Sequence, residues 1–340
     1  MTEAKKQTTW VGLDVGKSTF YAALDIRDKS DKYAVDKLPT REFKRTKAGV
    51  GSFFKWLKNN VSEENVSIIM EATGCYSIQL TDWLNEQATQ IPVCIQNGRQ
   101  MSDFIKSLNI QHKTDKTDAQ AIARFGTDRE PAPKQFRDIH WRELQELERE
   151  RTALIEARVK LENRTESLLV SAAKKFNGRA IAALNLQIKA IDKEIKRCVV
   201  EHEDILKEVH IITTAPGVQF VSACCILAEL GSFKQYTSRQ ISAISGLSPR
   251  IMSSGTSVNR TFLGRRGSKR LRQILYLNSM WAVAKIPQLN AMHKRLIEKG
   301  KTKMTARCAC MRKLLLILRA MVENGKPYDE NFQKDLLKNI

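Results

Sequence analysis

Long apolar runs are missing from this chain of 340 residues. No stretch of 18 uncharged apolar residues occurs, which excludes a membrane-spanning helix. The first residues, Met-Thr-Glu-Ala-Lys-Lys-Gln, carry no apolar leader segment. Cysteine is sparse and poorly spaced for zinc fingers. The seven cysteines include no CxxC pair, Cys224-Cys225 and Cys308-Ala-Cys310 are too close or too isolated, and the five histidines are scattered. A Cys/His metal site is therefore not expected, and the reduced cytoplasm is the expected compartment. Acids are nearly absent from one long stretch. Between Arg260 and Arg319 stand sixteen Lys/Arg and a single acid, Glu298.

That stretch carries most of the formal net charge of +20. A short charge run is usually a solvated face, but a long field of one sign attracts a polyanion. Nucleic acid is the expected partner, through phosphate neutralisation and counterion release. A membrane surface fits less well, because Gly264, Gly267, Pro287 and Gly300 interrupt the segment. With 42% apolar residues, the chain can bury two or three modest cores.

Near the N-terminus, "GLDVGKST" ends in Gly16-Lys17-Ser18 as a phosphate-binding loop does. The spacing excludes that reading. The loop needs a glycine at position 11, which is Val11, and Gly12 comes one residue too late. Val11 to Val15 instead reads as an apolar strand interrupted by Asp14, and Phe20 to Leu24 as the second strand of a hairpin. A helix is expected over Ala48 to Asn59, a buried strand over Val66 to Met70, and a helix over Ile78 to Leu84. A strand over Ile91 to Ile95 and a helix over Asp115 to Phe125 follow. This order predicts an α/β domain with a mixed sheet.

Leu147, Leu154, Leu161 and Leu168 recur every seven residues, and Ile181, Leu184, Ile188, Ile191 and Ile195 follow at spacings of three and four. The pattern predicts coiled-coil helices, with Phe176-Asn177-Gly178 as the break between them. Arg151, Arg158 and Thr165 near the seam argue against a tight isolated dimer. A spacer and an oligomerisation arm both fit. Further on, "TTAPGVQFVSACCILAELG" places a Pro-Gly turn before an apolar helix, as a helix-hairpin-helix element does.

The acids Asp14, Glu71, Asp115 and Asp118 fall at the edges of the α/β domain, the last two three apart at a helix start. Helix capping alone would account for that pair. Carboxylates from separate elements are also what hard divalent ions take.

Through these motifs together, the chain resembles the insertion-sequence transposases of the DEDD class. These are related to the Piv/MooV invertases and are RNA-guided serine recombinases. The resemblance rests on "GLDVGKSTF", "MEATGCY" and "KTDKTDAQAIARF", then "APGVQFVSACCILAELGSF", "ISGLSPRIMSSGTSV" and "GSKRLRQILY". It implies a RuvC-like ribonuclease H fold over 8–130, coiled-coil helices over 138–208 and a mainly helical transposase domain over 209–330. Asp14, Glu71, Asp115 and Asp118 would hold Mg²⁺ or Mn²⁺. The family's Ser-Gly motif falls on Ser254-Gly255, which makes Ser254 the implied nucleophile of a phosphoserine link to DNA, although Ser253, Thr256 and Ser257 stand close by.

Nucleic-acid contacts are expected from Arg260, Arg265, Arg266, Lys269, Arg270 and Arg272. Donor and target DNA, a guide RNA encoded by the element, and a homo-oligomer, dimeric at least and tetrameric in the synapse, are the implied partners. A DNA invertase, a metal-only RuvC-type nuclease and a non-catalytic nucleic-acid scaffold are the rival readings.

Overall fold

The computed structural model describes residues 8–26, 38–61, 65–88, 90–108, 110, 113–133, 138–254, 258–263 and 267–329, with the side chains of 250–254 and 258–263 left out. The chain divides into two compact units, one ending at Phe136 and the other beginning at Arg137.

The first unit is a mixed α/β sheet with helices on both faces. Its strands are β1 (Thr9–Val15), β2 (Thr19–Asp25), β3 (Thr40–Lys44), β4 (Val66–Glu71) and β5 (Val93–Gln96). Their order across the sheet is β3-β2-β1-β4-β5. The first three run antiparallel, while β4 pairs parallel with both β1 and β5. The helices are α1 (Lys47–Asn60), α2 (Cys75–Gln87), α3 (Gly98–Ser107) and α4 (Asp115–Arg129).

Successive residues of a strand point to opposite faces, and β1 shows how this sequence uses that period. Val11, Leu13 and Val15 join Ile68 and Met70 in a core with Val50, Phe53 and Leu57 of α1 and Leu80 and Leu84 of α2. On the other face, Trp10 and Ile69 pack with Met101 of α3 and Ile122 and Phe125 of α4. Asp14 falls on this second face by alternation, and so does Glu71.

Gly12 decides how closely α4 approaches the sheet. A Cβ at this position would collide with the backbone of Ala119 and Ala123, so only glycine lets the helix lie directly on β1. One turn further along, Gly126 sits against the Trp10 ring for the same reason. Two polar contacts reinforce the docking. Arg124 pairs with Asp25 at 3.9 Å, both side chains buried, and the Gln120 amide donates to the Leu38 carbonyl at 3.0 Å. Thr114 caps α4 reciprocally with Thr117, which fixes where the helix begins.

The second unit opens with two long helices, α5 (Ile139–Ser167) and α6 (Ser171–Glu201), packed on each other. The break between them is at 168–170, not at Phe176-Asn177-Gly178 as the sequence suggests. Asn177 stays helical because its amide donates across to the Leu161 carbonyl at 2.7 Å and to the Thr165 hydroxyl. Arg151 donates to Asp192 at 2.6 Å and Arg158 to Asn185 at 3.1 Å. The three polar positions of α5 therefore meet polar partners on α6, with half-buried leucines between them.

The remaining elements are α7 (Glu203–Thr213), α8 (Phe220–Leu230), α9 (Ser238–Ile244), β6 (Pro249–Ser254), β7 (Val258–Leu263), α10 (Lys269–Lys285), α11 (Pro287–Glu298) and α12 (Lys303–Asn324). Helix α8 is apolar nearly all round and is buried at Ala223, Cys224, Ile226, Leu227 and Leu230. Such a helix belongs at the centre of a core. Trp141 and Leu144 of α5 and Ile195, Cys198 and Val199 of α6 share that core, so the long hairpin is rooted in it. The Pro216-Gly217 turn between α7 and α8 forms as expected. Gly217 adopts φ +89°, and a Cβ there would meet the α10 backbone at Asn278 and Ala282.

Candidate active site

Register brings the first two acids together. Gly12 stands beside Ile69 and Leu13 beside Met70 across the parallel β1–β4 pair. One step further, Asp14 and Glu71 end up side by side at the carboxyl ends of the two strands, where open α/β sheets bind ligands. The α4 helix delivers the other two. Its first turn contains Asp115 and Asp118, and its close seat on Gly12 carries that turn to the same edge.

Electrostatics confirms that these charges feel one another. Burial, then Asp118, Asp115 and Glu71 in that order, push the Asp14 carboxyl from its ordinary 3.8 up to about 6. Burial and Asp118 raise Glu71. Burial raises Asp118 as well; the Lys113 ammonium 3.9 Å away opposes that rise, and Asp115 adds to it. The exposed Lys113 therefore relieves the cluster only in part. Glu71 also lies against the start of α3, where a Cβ on Gly98 would strike its carboxylate. Three carboxylates with raised proton affinity, Asp14, Glu71 and Asp118, stand with Asp115 and little compensating charge in a site suited to a hard divalent cation.

The second half of the expected site is at the β6–β7 hairpin. Ser254 closes β6 and pairs in register with Val258, and Ser253 pairs with Asn259. Arg260 is on β7 opposite Met252. Gly255, Thr256, Ser257, Arg265 and Arg266 lie outside the described residues.

Of the described basic residues, Lys269 is exposed at the start of α10. Arg270 turns inward, donating to Glu148 at 3.0 Å and reaching Glu229 at 4.0 Å. Glu148 is 1% exposed and also accepts from the Cys225 thiol at 2.9 Å. Arg272 donates to the Ser245 carbonyl at 3.2 Å.

The structure also gathers residues that the sequence pattern gave no reason to join. Among the described residues, the three-donor group whose ligand atoms all lie within 4.8 Å of one another is Glu143, Cys198 and His202. Its signal was a pair of helical spacings, His140-x-x-Glu143 and Cys198-x-x-x-His202, in segments far apart in the chain.

Acids gathered at a strand edge and a strongly basic segment are the features expected of a class of enzyme that works on nucleic acid. The comparisons identify the class more closely. A DEDD transposase domain model of the IS110 type matches residues 11–173, and a transposase model of the IS116/IS110/IS902 family matches residues 209–294. The chain belongs to the IS110 family of transposases. It is 26% identical to the pilin gene-inverting protein of Moraxella bovis, over 96% of this chain and 99% of that one. A like match is found with the pilin gene-inverting protein of Moraxella lacunata. The transposase for insertion sequence element IS1111A of Coxiella burnetii is also 26% identical, over 61% of this chain and 63% of its own length. No described helix is long and apolar enough to cross a membrane.

Proposed function

We propose that this chain is an insertion-sequence recombinase that cuts and rejoins DNA through a phosphoserine link at Ser254, with Asp14, Glu71, Asp115 and Asp118 as its metal-binding acids. The observation that carries the reading is the convergence of four carboxylates on one strand edge, with the Asp14 proton affinity raised to about 6. The five-stranded order with three antiparallel strands fits a ribonuclease H-like domain of the RuvC kind over 8–130. Residues 138–208 would then be the coiled-coil arm and 209–330 the domain carrying the serine. When bound, Mg²⁺ or Mn²⁺ would neutralise the acids and polarise a scissile phosphodiester.

The protein's own residues would divide the work. Asp14 and Glu71 hold their places by strand register, and Asp115 and Asp118 by the capped first turn of α4. The Ser254 hydroxyl attacks phosphorus and loses its proton, and the departing DNA oxygen takes one up. Bond energy is kept in the Oγ–phosphorus link, so rejoining needs no ATP. Phosphate contacts would come from the basic segment, through Arg260, Arg265, Arg266 and Lys269, whereas Arg272 is turned to the Ser245 carbonyl. Arg270 is engaged with Glu148. A guide RNA from the same element would choose the target. Asp118 and Ser254 are 136 positions apart, and the active site would pair the acids of one protomer with the serine of another, in a dimer or, at synapsis, a tetramer.

One observation favours site-specific inversion as the second reading. The Moraxella pilin gene-inverting proteins match this chain almost end to end.

The test uses the full chain with element-end DNA. Asp14→Ala and Glu71→Ala should abolish strand cleavage while DNA binding survives, and chelation should do the same to the wild-type chain. A protein–DNA adduct that resists denaturation should form with wild-type protein and vanish with Ser254→Ala. Cleavage without an adduct would turn the reading to a metal-only nuclease. Mixing the Asp14→Ala and Ser254→Ala chains should restore some activity. A dead mixture with proven hetero-oligomers would place the site within one chain.

A further inference from the structure

The root of the α5–α6 hairpin carries a cluster that DNA chemistry does not use. Glu143 stands near the start of α5, Cys198 near the end of α6, and His202 at the junction of α6 with α7. Their ligand atoms all lie within 4.8 Å of one another. Cys198 is fully buried, with its sulfur among these groups. Cys198 and His202 are four apart, and so share one face of the helix end. A fourth side chain adjoins: the His140 ring, one turn before Glu143, stacks on His202 with centroids 3.8 Å apart.

We propose that Glu143, Cys198 and His202 bind one zinc ion, with the fourth position facing the His140 side. The donor set decides the metal. A thiol, an imidazole and a carboxylate suit the borderline, tetrahedral zinc ion and do not suit magnesium, which takes oxygen ligands. Charge balances as well. Binding displaces the Cys198 thiol proton to solvent, and the resulting thiolate together with the Glu143 carboxylate neutralises the dication.

A polar network explains the cluster less completely. Glu143 lies 3.5 Å from Arg197 and 3.8 Å from His202. Yet Arg197 already pairs with Glu194 at 2.8 Å and Glu201 at 2.6 Å, so Glu143 can leave it without stranding a charge. The cluster is also braced from beside it. Trp141 donates its indole N–H to Asp204 in the first turn of α7 at 2.8 Å. An ion held here ties the ends of α5 and α6 together where they enter the helical core.

The experiment is cobalt substitution of the purified full chain, read by absorption. A sulfur-to-cobalt charge-transfer band with tetrahedral visible bands is expected, and zinc should displace both. The acidic site of the first unit contains no sulfur, so the Asp14→Ala chain must keep the band. Cys198→Ser should lose it. If that variant fails to fold, Glu143→Gln and His202→Gln should each shift or lose the band. Chelation of zinc should lower the unfolding temperature of the wild-type chain and leave that of His202→Gln unmoved. No thiolate band in wild-type protein, or a band that persists in Cys198→Ser, would overturn the assignment.

Discussion

The acids of the first unit and the cations of the second are handled in opposite ways. Asp14, Glu71, Asp115 and Asp118 are gathered with little compensation, and burial together with the neighbouring acids raises the Asp14 carboxyl to about 6. In the basic segment most described arginines turn inward. Arg270 meets Glu148, Arg272 the Ser245 carbonyl, Arg307 the Ser279 carbonyl, and Arg319 both Tyr236 and Glu323. Six of the seven lysines, at positions 269, 285, 294, 299, 301 and 303, face outward, and Arg295 joins them; Lys313 is half-buried. The contrast separates charge that builds the fold from charge left for a partner. A guanidinium offers a fork of donors that suits buried oxygen, whereas an ammonium stays hydrated at the surface.

The most damaging way to probe this contrast is to break the internal pair. Arg270→Ala leaves the buried carboxyl of Glu148 without the cation that is hydrogen-bonded to it, with Arg151 the remaining positive charge near it. Such losses cost about 3–5 kcal/mol, so urea unfolding of the second unit should shift by that order. Lys269→Ala, one residue away and exposed, should stay within about 0.5 kcal/mol. Equal effects would mean that the two residues play the same part.

Next in size is Gly12→Ala. The added methyl meets the α4 backbone, so the helix must lift from β1 and carry Asp115 and Asp118 away from Asp14. DNA cleavage should fall far more than DNA binding, and the metal-free unit should lose about 1–3 kcal/mol, in the range for overpacking.

The acids can then be tested by pH. The folded-state pKa of Asp14 is raised from 3.8 to about 6, so the folded chain holds that proton more tightly than the unfolded one. The stability this proton supplies is complete below about 3.8 and is lost as pH rises through about 6. The metal-free chain should therefore weaken across that window, and added Mg²⁺ should reverse the loss. Asp14→Asn should flatten the slope in this window. A slope unchanged in Asp14→Asn would assign the pH dependence to other groups.

The smallest effect concerns the lysines. Neutralising Lys294, Lys299, Lys301 and Lys303 should lower the slope of log affinity against log salt by about 0.9 for each duplex phosphate that no longer meets a cation. The protein's stability should barely change. An unchanged slope would place the binding surface elsewhere, with Arg265 and Arg266 the next residues to replace.

Much of the first unit was legible in the sequence because its strands are buried on both faces or alternate cleanly. Val66 to Met70 is apolar but for Ser67, and Asp14 stands out as the one charged residue of β1. Strand β3 was missed because Phe43 is its single buried residue. Helix α3 was missed because Met101 is the one residue it fully buries. The break of the long hairpin was misplaced because Asn177 and Gly178 are poor helix formers by propensity, and a cross-helix amide bond overrides that.

The role of Arg270 could not be read locally, since its partner lies 122 residues away. The same holds for Glu143, Cys198 and His202, whose two halves are separated by most of the hairpin.

The polar pairs along that hairpin give it a unit of length. Arg151 opposite Asp192 and Arg158 opposite Asn185 repeat after seven residues on each helix. Removing 152–158 together with 185–191 would take out one whole period and leave the next rungs in phase. The arm would shorten by about 10 Å at 1.5 Å per residue. Its root in the helical core and its tip would both keep their sequence. Evolution can therefore adjust the reach of this arm in discrete steps without redesigning either end. Removing a period from one helix alone would put every later rung out of step.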